Sequence, residues 1–209
     1  MRSIDWYFDY ISPFAYLQAR RLGELPSDVD VIYKPVLFAG LLQHWGTKGP
    51  AEIPSKRVFT YRYLQWYAEH HRIPFRMPPA HPFKPLPLLR LTLALGCKAD
   101  VIRSIFDFVW KQGRDPVAEW PALIESLRVT DGDERITRPE VKTALREHTE
   151  QAIARGVFGV PTCAIGDALF WGVDATDMVI DYLAGRVALD SGEMARVGDL
   201  PTGVQRGSG

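Results

Sequence analysis

Strand-forming patterns occur only at the two ends of this chain, and about a hundred residues of helical pattern lie between them. Ile4 to Tyr10 alternates tightly and is rich in β-formers, and "VDVIYKPVLF", Val29 to Phe38, is a second run of β-branched and aromatic residues. Between them "PFAYLQARRLGEL" sets Phe14, Leu17 and Leu22 near helical spacing, with Pro13 suited to a first turn and Gly23 near the end. Such a strand-helix-strand unit is most simply parallel and right-handed. The strand pattern returns after Gly156 as "VPTCAIG", Val160 to Gly166, turns at Asp167, continues as "ALFWG", and gives way to a helix over Ala175 to Leu183. The two short runs read as a hairpin. The middle reads as five helical windows: "SKRVFTYRYLQWYAEHH", "PLPLLRLTLALG", "ADVIRSIFDFVWKQG", "EWPALIESL" and "RPEVKTALREHTEQAIARG". A proline-rich stretch, "EHHRIPFRMPPAHPFKPLP", joins the first two and must be extended.

With 209 residues and 46% hydrophobic composition, the chain can bury a core as one domain or one domain with a sizeable insertion. Twenty-five basic and 25 acidic residues balance, which removes the broad electrostatic case for nucleic acid or a membrane surface and points to a small partner. Met1 leads straight into a strand pattern, with no basic leader and no apolar run long enough to span a bilayer, so a cytoplasmic location is expected. Cys97 and Cys163 are too few and too distant for a disulfide framework, and the five histidines show no metal-type spacing with them. Buried, reduced thiols and no structural metal are expected.

A β-α-β front and a β-β-α back is the order of a thioredoxin-type fold, and the helical block sits where some members carry an inserted helical domain. The expected fold is therefore α/β and thioredoxin-like, with residues 1–39 and 157–186 forming that domain and residues 40–156 an all-helical insertion. Residues 187–209 are expected to be a polar tail that loops over the surface or frays. "GVPT" supports the assignment: proline cannot donate to a ladder, so opening a core strand with Pro161 is odd unless it is the fold's cis-proline, whose preceding backbone, here Val160, faces the active corner. Ser12-Pro13-Phe14-Ala15 occupies the strand-to-helix corner where redox members place Cys-x-x-Cys. With Ser12 and Ala15 there, dithiol exchange by this corner is excluded. A hydroxyl at a helix N-terminus remains, where free N–H groups and the helix dipole favour an anion such as a bound thiolate. Ser12 also suits a plain N-cap.

"YFDYISPFAYL", "GVFGVPTCAIGDALFWGVD" and the helical block between them resemble the 2-hydroxychromene-2-carboxylate isomerases, a group similar to the kappa-class glutathione transferases and, more distantly, to the DsbA-like oxidoreductases. The resemblance runs from about Ile4 to about Leu183. It implies glutathione as cofactor, with Ser12 as the catalytic hydroxyl that holds its sulfur as thiolate and the backbone at Val160, before Pro161, pairing with its peptide part. Gly172-Val173-Asp174 then meets the γ-glutamyl end, with Asp174 on the ammonium; Asp174 also suits a helix N-cap. Val173 departs from the small polar residue usual in the transferases, leaving backbone N–H groups for the carboxylate. Thr47 stands where the family has an asparagine, and a hydroxyl replaces one amide contact, not two. Lys56 falls where a lysine reaches the glycyl carboxylate, or is a solvated surface residue.

On the substrate side, "AHPFKPLPLLR" supplies His81, Lys84 and Arg90, and an anionic 2-oxo or 2-hydroxy carboxylate would suit Arg90 or Lys84. Any one of these is more often a surface or capping residue. Trp110 with Phe106, and likewise Phe38 and Trp45, read either as an aromatic pocket or as core packing. The resemblance implies a homodimeric, glutathione-dependent cis-trans isomerase of 2-hydroxychromene-2-carboxylate or a similar aromatic or conjugated 2-oxo acid. Its rivals are a kappa-like transferase or peroxidase on other electrophiles, a non-catalytic thioredoxin-like binding module and, weakest, a disulfide oxidoreductase.

Overall fold

The structure is a computed structural model that describes residues 2–203; Met1 and the last part of the expected tail, residues 204–209, lie outside the described residues. A four-stranded sheet in the order β2-β1-β3-β4 forms its centre. Strand β1 (Arg2–Phe8) runs parallel to β2 (Val29–Pro35) and antiparallel to β3 (Thr162–Ile165), and β3 pairs antiparallel with β4 (Ala168–Trp171). Helix α1 (Pro13–Ala19) links β1 to β2, and Gly166-Asp167 turns the β3-β4 hairpin, so the expected thioredoxin-like α/β topology is present.

The chain leaves the sheet after β2 and returns at β3, and among the described residues no strand lies between. Helices α2 (Phe38–Trp45), α3 (Pro54–His70), α4 (Leu86–Ala94), α5 (Ala99–Phe106), α6 (Trp120–Ser126), α7 (Gly132–Arg135) and α8 (Pro139–Ala154) fill the interval. A π-helical stretch, Asp107–Lys111, prolongs α5, and α9 (Thr176–Leu183) follows a 3-10 turn at Val173–Ala175. The tail differs from the loop its composition suggests: α10 (Gly192–Gly198) forms there, with no buried residue.

Helix α2 is the element whose periodicity the sequence hid, because the strand-like run continues to Phe38. Pro35 ends the ladder instead, and the Phe38 N–H bonds the Asp9 carboxylate at 2.9 Å, which starts a helix where the pattern suggested strand. Gly40 then lets α2 lie close on α8, since a Cβ at that position would come within 3.1 Å of the Thr149 methyl group.

The period of two in β1 divides the core. Ile4, Trp6, Phe8 and Tyr10 face the larger cluster, with Tyr16 and Leu17 of α1, Ile105 and Phe106 of α5, and Val179 and Leu183 of α9. Tyr7 faces the other way, into a smaller cluster with Val36, Leu41, Val160 and Ala164. Phe106 is the hub of the larger side, with ring centroids 6.1 Å from Trp6, 5.7 Å from Phe8, 4.6 Å from Tyr10 and 6.2 Å from Tyr16. This one ring docks the helical block onto the sheet and α1 together. Phe106→Ala is expected to cost about 3–5 kcal/mol, the usual range for emptying a buried aromatic site. A denaturant midpoint unchanged from the parent protein would contradict that role.

Candidate functional site

The corner after β1 is set by an aspartate that the sequence reading overlooked. Asp9 is fully buried, and its carboxylate accepts the N–H of Ile11 at 3.1 Å and that of Phe38 at 2.9 Å. Its backbone carbonyl accepts the Ser12 N–H at 3.0 Å. One side chain thus ties the loop before Ser12 to the start of α2. Burial dominates its titration and pushes its pKa up to about 7, against the lowering effect of the N–H bonds. The sequence signal was there in principle: a lone acid inside the aromatic run "YFDYI".

Ser12 caps α1. Its backbone is extended, its Oγ accepts the Ala15 N–H at 3.2 Å, and its hydroxyl donates to the Val160 carbonyl at 3.3 Å. The peptide bond between Val160 and Pro161 is cis. The cap reading of Ser12 is therefore realised, and the same side chain reaches the residue before the cis-proline. Pro13 brings no N–H, and Ala15 spends its own on Ser12, so the hydroxyl rather than a crown of free amides is the polar feature of this corner. No thiol competes with it. Cys163 is buried in β3, with its pKa pushed up to about 12 by burial, and Cys97 is half-buried and also shifted upward by burial.

Pro161 in turn fixes the turn before α9, since its carbonyl accepts the Gly172 N–H at 2.9 Å. Gly172 has φ +94°, a left-handed conformation that suits glycine, and a Cβ there would overlap Asp174 Oδ1. The Asp174 carboxylate lies against this bare backbone and is exposed, whereas the Val173 side chain is buried. Ser12, Val160, Pro161 and Asp174 thus form a connected arc. Thr47 is exposed just past α2, and the preceding Trp45 donates its indole N–H to the Val157 carbonyl at 3.0 Å, which sets that end of α2 beside the cis-proline loop. Lys56 is exposed in the first turn of α3, with no hydrogen bond or ion pair among the described residues.

The residues expected to meet substrate are distributed differently. His81, half-buried, has both ring nitrogens engaged: Nε2 lies 2.8 Å from the Ile11 carbonyl and Nδ1 2.6 Å from the Tyr61 hydroxyl. A carbonyl can only accept, so Nε2 carries the proton and Nδ1 accepts from Tyr61. Burial lowers the His81 pKa, which favours this neutral form. His81 braces the residue before Ser12, and Tyr61 is a partner that the sequence did not reveal. Trp110 is fully buried and donates to the Tyr10 carbonyl at 2.9 Å, which makes it core packing behind His81. Lys84 is exposed on the loop after His81, and Arg90 is half-buried in α4 with its Nε lacking a partner. Neither of these two cations is drawn to the Ser12 corner by a hydrogen bond.

The chain matches known proteins along nearly its whole length. A family model of the DSBA-like thioredoxin domain matches residues 3–184. A 2-hydroxychromene-2-carboxylate isomerase of Pseudomonas sp. (strain C18) is 30% identical, over 87% of this chain and 90% of that one. The chain belongs to the 2-hydroxychromene-2-carboxylate isomerase family of DsbA-like thioredoxin-domain proteins. A kappa 2 glutathione S-transferase of Caenorhabditis elegans is 29% identical, covering 87% of this chain and 91% of that relative. Among solved structures, one of a 2-hydroxychromene-2-carboxylate isomerase superposes with a TM-score of 0.75 at 26% identity, covering 96% of this chain and 100% of the other. Relatives of this family carry isomerase and kappa-transferase names, and the fold is the DsbA-like thioredoxin fold with its many helices.

Asp9 generates a pH test. Its folded pKa of about 7 lies above the unfolded carboxyl value, so the folded state retains a proton that the unfolded state releases between about pH 4 and pH 7. Its contribution to stability is present below about pH 4 and is lost as pH rises to about 7, by on the order of 4 kcal/mol. The stability difference between the parent protein and Asp9→Asn should therefore vary across that window in urea titrations. A difference independent of pH would contradict this reading.

Proposed function

We propose that this protein is a glutathione-dependent cis-trans isomerase acting on 2-hydroxychromene-2-carboxylate or a similar aromatic or conjugated 2-oxo acid. The observation that carries the reading is the buried Ser12 hydroxyl, directed at the Val160 carbonyl beside the cis-proline in a corner without a thiol. A site that keeps this geometry and lacks its own sulfur suits a sulfur brought by a ligand. The kappa-transferase relatives support glutathione as that ligand.

The residues fit glutathione in four places. The Ser12 proton, held only by a 3.3 Å bond to a carbonyl, can turn to a sulfur anion, which is the stronger acceptor. The Val160 backbone, thereby released, pairs with the peptide portion. Asp174, exposed against Gly172, takes the γ-glutamyl ammonium, and the Val173 position serves through its backbone because its side chain is buried. Thr47 and Lys56 serve the glycyl end. Bound there, glutathione would supply a thiolate nucleophile, the chemistry that lets a conjugated double bond isomerise through reversible addition.

The chain's own work is then positional and electrostatic. Ser12 holds the sulfur in its anionic state, while Asp9 and the Tyr61-His81 pair keep the Tyr10-Ile11-Ser12 loop in place. Lys84, exposed next to that brace, serves the substrate carboxylate, and Arg90 and Trp110 shape the helical wall behind it. The same reading includes a homodimer working in the reducing cytoplasm, where glutathione is kept as its thiol. Among the described residues no helix is long and apolar enough to cross a membrane.

The kappa-transferase relatives favour a second reading, in which the same thiolate site serves an electrophile that keeps the sulfur. An isomerase returns glutathione unchanged, whereas a transferase accumulates conjugate. With a 2-hydroxychromene-2-carboxylate substrate and glutathione, Ser12→Ala should lower kcat/KM at least a hundredfold, consistent with loss of a preorganised donor to a charge. Its melting temperature should move by only a few degrees. An unchanged rate would remove the hydroxyl from the reaction, and stoichiometric consumption of glutathione would replace the isomerase reading by the transferase one.

A further inference from the structure

Gln18 is a fully buried amide six residues after Ser12 on α1, facing the larger apolar cluster. Its Oε1 accepts the Trp6 indole N–H at 2.7 Å and lies 3.8 Å from the Cys163 thiol. Its Nε2 donates to the Gly172 carbonyl at 2.9 Å and to the Thr176 hydroxyl at 3.2 Å. The amide orientation is forced, because an indole N–H can only donate and a carbonyl can only accept. Thr176 passes the contact on by donating to the Val173 carbonyl at 2.5 Å. A single side chain therefore grips both Gly172 and, through Thr176, the turn that carries Asp174.

Gly172 is held at both ends of its backbone, by the Pro161 carbonyl on its N–H and by Gln18 on its C=O. Pro161 belongs to the loop whose Val160 carbonyl meets the Ser12 hydroxyl. The result is a closed frame: Ser12 and Gln18 on one short helix, the cis-proline loop at one corner and the Gly172-Asp174 turn at the other. Six helical residues separate the two anchoring side chains by roughly 9 Å along the axis. An apolar residue of similar size could fill the space but would leave the Trp6 indole N–H without its acceptor and the Gly172 carbonyl without this donor, so the amide acts as a tie between elements and not as filling.

We propose that Gln18 is a positioning residue that sets the spacing between the Ser12 hydroxyl and the Asp174 carboxylate, and so selects thiol ligands that carry a γ-glutamyl group. The inference rests on the glutathione reading of the site. Gln18 touches no ligand; it acts through Gly172 and Thr176.

Isothermal titration of the full chain with glutathione and with cysteinylglycine, which lacks the γ-glutamyl group, separates the outcomes. Gln18→Met should weaken glutathione binding at least tenfold and change cysteinylglycine binding by less than twofold. Equal losses for both ligands would make Gln18 a general structural residue, and no loss for either would end the proposal. Gln18→Glu provides a second variant if the first does not fold. Its neutral carboxyl can donate to the Gly172 carbonyl and its ionised form cannot, so glutathione binding should recover as pH falls relative to the parent protein. A pH dependence identical to the parent's would overturn the assignment. Failure of the parent protein itself to bind glutathione at millimolar concentration would overturn the cofactor reading, and this inference with it, whereas binding unaffected by either variant would overturn the inference alone.

Discussion

The pairing of β1 with its two neighbours is the constraint on which the rest depends. β1 runs parallel to β2 and antiparallel to β3, with Trp6 opposite Cys163 and Tyr7 opposite Thr162. That register brings the residue before the cis-proline against Ser12, 148 positions away, and makes the hydroxyl-carbonyl bond between them possible. A slip of one residue would exchange the two faces of β1 and move Trp6 and Phe8 out of the larger core. The alternation of large aromatics on one face and Tyr7 on the other therefore protects the site geometry as well as the fold.

Around that pairing, the polar groups of the site are arranged as braces. Asp9, Gln18 and His81 are buried or half-buried, and each binds backbone beyond its own element: Ile11 and Phe38 for Asp9, Gly172 for Gln18, and Ile11 again for His81. Buried polar groups are costly unless their hydrogen bonds are made, so each of these networks specifies one local arrangement and disfavours alternatives. Ser12 and Asp174, the groups proposed to touch a ligand, sit at the ends of these braces. Such a division separates the side chains that fix the backbone of the corner from those left to face its opening.

Much of the fold was legible from local pattern. The period of two at Ile4–Tyr10 and the Gly166-Asp167 turn depend on neighbouring residues alone and read correctly. The five helical windows each contain a helix for the same reason. The exceptions have local causes of their own. Pro35 and the Asp9 carboxylate turned a strand-like run into the start of α2, and α7 spans only four residues, too few to show periodicity. The tail helix α10 buries nothing, so no apolar stripe marked it.

The site divides along the same line. Sequence alone determined that a serine stands at the helix corner, that no thiol pair accompanies it, and that Val160-Pro161 opens the returning strand, because these follow from residue identity and adjacency. It also supplied the acid at Asp174, two residues after Gly172. Only the tertiary structure decided what His81 and Trp110 do, since their partners, the Ile11 and Tyr10 carbonyls, are 70 and 100 positions away. Gln18 was silent in sequence for the same reason: an amide on a helix announces nothing until the fold brings Trp6 to its oxygen and Gly172, 154 positions on, to its nitrogen. Local chemistry is written in the order of residues, whereas hydrogen bonds across such distances exist only once packing has paid the entropy of bringing their partners together.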